Sequence, residues 1–142
     1  PDRGYLLVNE MSDHLPIYVW GPNARGALRL AGAGYGIGAT MHADTLDEAL
    51  ALLRDELRAT DADLAGMTVY LQYSAYRTPA GMYRRVEEAW HLRTDASGAL
   101  APSTRSDRVR GAPPQGPLAS GGGASLILLG HAVSASERRL TS

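Results

Sequence analysis

The segment DTLDEALALLRDELRATDADLAGMTVYLQY, residues 44–73, decides the fold class, because it predicts an amphipathic helix that leads into a strand. Thr45 and Glu48 fit a capping box, in which each side chain satisfies a free backbone amide at the start of a helix. The apolar face of this helix consists of leucines at helical spacing: Leu46, Leu50, Leu53 and Leu57. Residues 61–66 break the pattern, and residues 67–72 have the β-branched and aromatic character of a strand. A helix with one apolar face needs a sheet to cover, so the segment predicts an α+β protein.

Length and composition limit what the chain can be. Its 142 residues predict a single domain over residues 1–142. A formal net charge of −1 gives no general attraction to nucleic acid or to anionic lipid. The chain has no cysteine, which excludes disulfides, and no apolar run approaches the roughly 20 residues of a membrane span. We therefore expect a cytoplasmic protein without a nucleic-acid or membrane partner.

The remaining elements are predicted from local patterns. Strands are predicted over residues 5–9, 16–20, 27–31, 104–110 and 124–133, with a glycine-rich loop at 32–38 and a longer loop at 111–123. Thr78 followed by Pro79 resembles the start of a helix, and apolar residues at helical spacing extend that helix to about residue 91. The predicted order is βββ-α-β-α-ββ, a mixed sheet with two helices packed on one face.

The last predicted strand is apolar on both faces, as is typical of a strand in the middle of a covered sheet. Two helices cover one face only. In a chain this short, we expect another subunit to cover the second face, which predicts an oligomer with pockets between subunits.

Known cofactor and metal motifs are absent from the sequence. The glycines at 32, 34, 36 and 38 do not have the spacing of a dinucleotide-binding motif, and no Lys-Ser/Thr pair follows them as in a P-loop. His14, His42 and His91 have no spacing, with each other or with carboxylates, that suggests a metal site. We therefore expect neither a cofactor nor a metal ion.

Four stretches, together with the order of elements, resemble the RidA/YjgF superfamily of imine and enamine deaminases. They are ALRLAG at 27–32, the capped helix, MTVYL at 67–71 and PSTRSDRV at 102–109. The resemblance implies a chorismate-mutase-like α+β fold, a homotrimer and ligand clefts at the subunit interfaces. It also implies that Arg105, followed by Ser106, binds a substrate carboxylate. A guanidinium suits that role because it can form paired hydrogen bonds with a carboxylate. Tyr18 matches the tyrosine of the family's second-strand motif, and Gly32 matches the glycine that ends its third strand.

The last strand departs from the family pattern. Glutamates of the deaminases are replaced by Ile127 and Leu129, so this strand offers no carboxylate to accept a proton. His131 lies on the same face by strand alternation and can replace the missing base, or alternatively cap the strand end or lie at a subunit contact. Tyr35 can form an aromatic wall with Tyr18, or both can be ordinary packing residues.

Three hypotheses for function follow. The first is a divergent RidA-like enzyme of specialised (secondary) metabolism that acts on a small carbonyl, imine or carboxylate-bearing intermediate held by Arg105. A variant of this first hypothesis is a standard imine or enamine deaminase with a substitute base. The second hypothesis is a non-catalytic module on the same scaffold that binds a small acid. A nucleic-acid-binding protein is the third, and the near-zero net charge counts against it.

Overall fold

The computed structural model describes the backbone of residues 4–106 and 125–130 and the side chains of residues 4–101. The elements follow one another as β1 (Tyr5–Val8), α1 (Gly21–Gly32), β2 (Gly36–His42), α2 (Leu46–Ala51), α3 (Asp61–Leu64), β3 (Val69–Thr78), β4 (Gly81–Thr94), β5 (Leu100–Ser106) and β6 (Ser125–Gly130). Between α2 and α3 the helix continues as a π-helical segment, Leu52–Glu56. In the described part of the chain, no helix is long and apolar enough to cross a membrane.

The described strands form one sheet in the order β1-β2-β6-β3-β4-β5. The β1–β2 pair is parallel, and every other neighbouring pair is antiparallel. This mixed sheet with helices confirms the α+β class. The strand predicted last in the chain is confirmed as β6, and it lies in the middle of the sheet between β2 and β3.

One face of the sheet is covered by the helices. Alternate residues of β2 (Ile37, Ala39 and Met41) join Val8 and Tyr70 in the buried core. The helices contribute their small and apolar residues to the same core, including Ala24, Ala27, Leu28, Leu46, Leu50 and Leu53. On the opposite face, Tyr5 and Leu7 of β1 are 58% and 78% exposed. The helical layer therefore covers only one side of β1.

The predicted strand at 27–31 is wrong, because residues 21–32 form α1. The predicted strand at 16–20 is wrong because these residues form a turn, with a single β-bridge between Val19 and Met11. Pro22 stands in the first turn of the helix, where its missing N–H costs nothing. Ala24, Ala27, Leu28 and Ala31 are buried at helical spacing. Gly26 suggested a turn, but a glycine inside a helix only lowers its stability.

The predicted helix at 79–91 is also wrong, because this stretch forms β4 in a hairpin with β3. Pro79 occupies a tight turn between Thr78 and Gly81, and Gly81 has a φ of +125°, which side-chain-bearing residues rarely adopt. Pairing along the whole length of β3 outweighs the helical spacing of the apolar residues. The observed order, β-α-β-α-α-β-β-β-β, thus differs from the predicted βββ-α-β-α-ββ.

The glycine-rich stretch is only partly a loop, because Gly36 and Gly38 belong to β2. The ring of Tyr5 lies against both positions, and a Cβ at Gly36 would collide with it. This close approach explains the glycine at 36 without a phosphate-binding role.

The helix predicted from the leucine repeat is confirmed, but its second half is wider than an α-helix. In this half the Leu57 amide donates to the Leu52 carbonyl at 2.9 Å, a bond between residues five apart. The Thr45 hydroxyl accepts from the Glu48 amide as predicted, whereas the Glu48 carboxylate accepts from the Asp44 amide at 2.6 Å and not from Thr45. Both side chains therefore cap the helix start, but the Glu48 carboxylate binds the amide one residue before the one that a capping box predicts.

A buried carboxylate joins α3 to α1. Asp63 is 4% exposed, and its Oδ2 accepts from the Thr60 amide and hydroxyl, each at 2.9 Å. Its Oδ1 accepts from Nε of Arg29 at 2.5 Å. The hydrogen bond from Arg29 and those from Thr60 lower the pKa of Asp63 to about 2. Gly66 lies just beyond, against the backbone at the end of α1.

Candidate functional site

A cleft of about 360 Å³ opens between the segment that follows β1 and the helix that follows β2. Its polar lining consists of Ser12, Asp13, His14, His42, Asp44, Glu48 and Glu56. Its apolar lining includes Met11, Trp20, Met41 and Leu52. The size and this mixture of an apolar floor with convergent polar groups are typical of a small-molecule site.

Backbone hydrogen bonds hold the walls of the cleft together. The Met11 amide donates to the Thr40 carbonyl of β2 at 2.7 Å. The Val19 amide, just before α1, donates to the Glu10 carbonyl at 2.9 Å. Residues 10–12 are thereby fixed between β2 and the start of α1, so their side chains lie next to the end of β2.

His42 ends β2 at the cleft and faces a carboxylate. Its Nε2 lies 3.4 Å from Oε1 of Glu10, and its side chain is 53% exposed. The Glu10 oxygen is buried and has no hydrogen-bond partner among the described residues. The two atoms are within ion-pair range, but the contact does not satisfy the hydrogen-bonding capacity of the carboxylate. An imidazole held beside a carboxylate is an arrangement suited to proton transfer.

Ser12 and His14 form a second polar pair in the same cleft. Oγ of Ser12 lies 2.5 Å from Nδ1 of His14, and Ser12 is 6% exposed. The His14 amide also donates to this hydroxyl at 3.2 Å, so the pair belongs to a local turn. The turn keeps a hydroxyl and an imidazole at fixed positions in the cleft.

Tyr70 of β3 belongs to the buried core. Its side chain is fully buried, and its hydroxyl has no hydrogen-bond partner among the described residues. Burial, followed by the negative charges of Glu88, Glu48 and Asp44, holds the pKa of Tyr70 well above its usual value. Glu48 and Asp44 also line the cleft.

A second depression, of about 440 Å³, lies on the sheet face that the helices do not cover. It is lined by residues of β1 and β2 such as Tyr5, Leu7 and Gly38. It lacks the convergent acid–base groups of the first cleft among the residues described. We therefore take the first cleft as the candidate functional site. Within the described residues, no group of three or more His, Cys, Asp or Glu side chains could hold a metal ion.

The strand positions predicted to lie in a substrate site are in the middle of the sheet. Ile127 is in register with Leu71 of β3, and Leu129 is in register with Val69. On the other side of β6, Ile127 is in register with Thr40 of β2, and Leu129 is in register with Gly38. His131, the predicted substitute base, lies outside the described residues.

The predicted carboxylate-binding residues lie in β5, the outermost strand on one side of the described sheet. Arg105 is in register with Trp90 of β4, and Ser106 is in register with Ala89. Two strands separate β5 from β6, a distance of roughly 14 Å at ordinary strand spacing. One copy of the chain therefore does not bring Arg105 together with the predicted positions of β6.

The other predicted residues lie around α1. Tyr18 is in the turn before the helix, where its amide donates to the Leu15 carbonyl at 3.0 Å. Gly32 is the last residue of α1, and Tyr35 comes just before β2. None of these three lines the cleft.

Sequence reasoning missed the site because its residues come from separate segments. In the sequence, residues 11–14 were interpreted as a polar break between strands. Asp44 was interpreted as part of the start of a helix. His14 and His42 were considered only as metal ligands. The pairing of Met11 with Thr40 and the approach of Glu10 to His42 bring these segments together, and no local spacing in the sequence indicates either contact.

No protein-family model, curated protein or solved structure matches the chain. The class of protein is therefore defined here by its own features. It is an α+β protein whose mixed sheet carries helices on one face, with a polar cleft at the end of its second strand.

Proposed function

We propose that the chain is a small-molecule enzyme that moves a proton on a carbonyl or imine substrate bound in the cleft. The observation that carries this proposal is the His42 imidazole, which opens into the cleft with Glu10 behind it at 3.4 Å. Imidazole accepts and returns protons at near-neutral pH, and a carboxylate on its far side fixes its orientation and stabilises the charge that it gains.

His42 has the role of proton acceptor in this proposal, and Glu10 that of a positioning residue. The proton leaves the carbon next to the C=O or C=N bond, moves to the imidazole, and is returned to the substrate from there. The hydroxyl of Ser12 and the imidazole of His14 are hydrogen-bonding groups for the oxygen or nitrogen that gains electron density.

The test is hydrogen–deuterium exchange at the carbons next to the C=O or C=N bond. We would follow cyclohexanone, and its imine with methylamine, by proton NMR in D₂O. The wild type is expected to accelerate exchange over buffer, and His42→Gln to lower the enzymatic rate by about 100-fold or more, the usual contribution of general acid–base catalysis.

The matched control is His91→Gln. His91 lies on β4, where its Nδ1 accepts from Nε of Arg93 at 3.2 Å, and it does not line the cleft. The control is expected to keep the wild-type rate. Exchange no faster than in buffer, or equal rates for wild type and His42→Gln, would contradict the proposal.

A second proposal keeps the RidA/YjgF-like hypothesis. A divergent, cytoplasmic enzyme of specialised metabolism would bind the carboxylate of its substrate at Arg105 and Ser106, in a cleft between subunits of a chorismate-mutase-like homotrimer. The specific support is the Arg-Ser pair of the sequence, together with its place on an outermost strand, where a second copy can approach. The observed order of elements departs from that arrangement, so this proposal ranks second.

The second proposal predicts a trimer in light scattering and release of ammonia from 2-aminoacrylate generated in solution. Arg105→Ala is expected to abolish that release, because it removes the group that pairs with the carboxylate. A monomer that releases no ammonia would exclude the deaminase and favour the cleft at His42.

A further inference from the structure

We infer that the cleft binds an organic cation, a primary amine or protonated imine that carries an apolar group. This inference rests on the proposed function, since it concerns the substrate class of the same site. It starts from the balance of charge in the lining, which among the described residues includes four carboxylates and no arginine.

The carboxylates of the cleft are not neutralised from nearby. Within residues 4–101, Asp13, Asp44 and Glu56 form no ion pair with an arginine, whereas Asp61 and Asp63 outside the cleft each do. Each carboxylate near a partly enclosed site raises the local concentration of cations and lowers that of anions. The field of the cleft thus selects positive ligands.

One buried oxygen beside the cleft provides independent support. Oε1 of Glu10 lies 3.4 Å from Nε2 of His42, which lines the cleft, and it is buried without a hydrogen-bond partner among the described residues. Buried polar atoms are almost always hydrogen-bonded, so each exception calls for a missing group. An ammonium or iminium group bound in the cleft brings only N–H donors to such a place.

The rest of the lining favours a ligand with an apolar body. Trp20, Leu52 and the two methionines provide apolar surface, and an indole ring also attracts a cation above its face. A hydrated inorganic ion gains nothing from such surface. The combination of apolar wall and carboxylates therefore points to an alkylammonium or aryl-alkylammonium compound.

The experiment compares three probes of the same length that differ in charge: hexylammonium, 1-hexanol and hexanoate. Each is titrated into the ¹⁵N-labelled protein, and the backbone amide shifts of residues 12–14 and 42–48 are followed. We expect hexylammonium to shift these amides with at least tenfold tighter binding than 1-hexanol. Hexanoate is expected not to shift them.

Variants show which charges are responsible. Asp44→Asn and Glu56→Gln are each expected to weaken hexylammonium binding several-fold and to leave 1-hexanol binding unchanged. Asp47→Asn is the matched control, because Asp47 is exposed in the same helix and does not line the cleft. It is expected to bind hexylammonium as the wild type does.

The outcomes separate the two proposals. Hexanoate or 1-hexanol shifting the cleft amides as strongly as hexylammonium would overturn the inference, while exchange catalysed by His42 would still stand on its own assay. Hexylammonium shifts confined to residues outside the cleft would overturn the inference. Loss of catalysed exchange, with selective hexylammonium binding retained, would overturn the proposed enzyme and leave a cation-binding site.

Discussion

Replacement of Gly66 by alanine is expected to lower the free energy of unfolding by about 3 kcal/mol, near the upper end of what overpacking usually costs. A Cβ at this position would lie 2.5 Å from the backbone carbon of Ala31 and 2.5 Å from the backbone nitrogen of Gly32. Neither backbone atom can move without displacing the end of α1. Urea unfolding followed by circular dichroism measures the effect.

The matched control is Gly26→Ala, within α1. A Cβ there would meet nothing within 4 Å. Since alanine favours the helix more than glycine does, this variant is expected to be more stable by about 0.5–1 kcal/mol. If Gly66→Ala unfolded at the wild-type urea concentration, the close approach of α1 to residue 66 would be wrong.

Asp63→Asn is expected to cost roughly 2 kcal/mol, because the buried carboxylate accepts charge-assisted hydrogen bonds from Arg29 and from Thr60. The same substitution at Asp61 is the control. Asp61 is 42% exposed in its ion pair with Arg54, so Asp61→Asn is expected to cost less than about 1 kcal/mol. Equal effects of the two substitutions would contradict a special role for the buried carboxylate.

The stabilisation by Asp63 depends on pH in a defined direction. Its pKa is lowered to about 2 in the folded protein, against about 3.9 for a free aspartate. A lowered pKa means that the folded state favours the ionised form. The stability difference between wild type and Asp63→Asn is therefore fully present above about pH 4 and fades as the pH falls toward 2. Urea midpoints between pH 7 and pH 2 measure it.

The parts of the fold that sequence reasoning found are those with strong local patterns. The leucine repeat after Thr45 and the apolar run that forms β6 each have only one reasonable interpretation. The errors fall where two interpretations fit the same residues. Residues 27–31 alternate like a strand but also place Ala27, Leu28 and Ala31 on one side of a helix. Pro79 begins helices and also tight turns, and only the pairing with β3 decides between them.

The candidate site was harder to predict than the fold for a physical reason. Most of the predicted residues, including Arg105 and the positions of β6, came from a family pattern that places its ligand clefts between subunits. The cleft instead depends on long-range contacts, among them Met11 with Thr40 and Glu10 with His42, which bring residues 10–14 beside the end of β2. Contacts of this kind depend on the complete sheet order, and neither charge nor residue spacing in the sequence specifies that order.

The π-helical segment Leu52–Glu56 holds one residue more than an α-helical turn in the same place would need. A bond between residues five apart closes a turn that holds one residue more than an α-helical turn. Deletion of a single residue between 52 and 56 would restore ordinary helical bonding, while Leu50 and Leu57 on either side could keep their places in the core. Leu52 and Glu56, which line the cleft from this wide turn, would lose their present positions. A chain without this residue is expected to retain the fold and to have a differently shaped cleft.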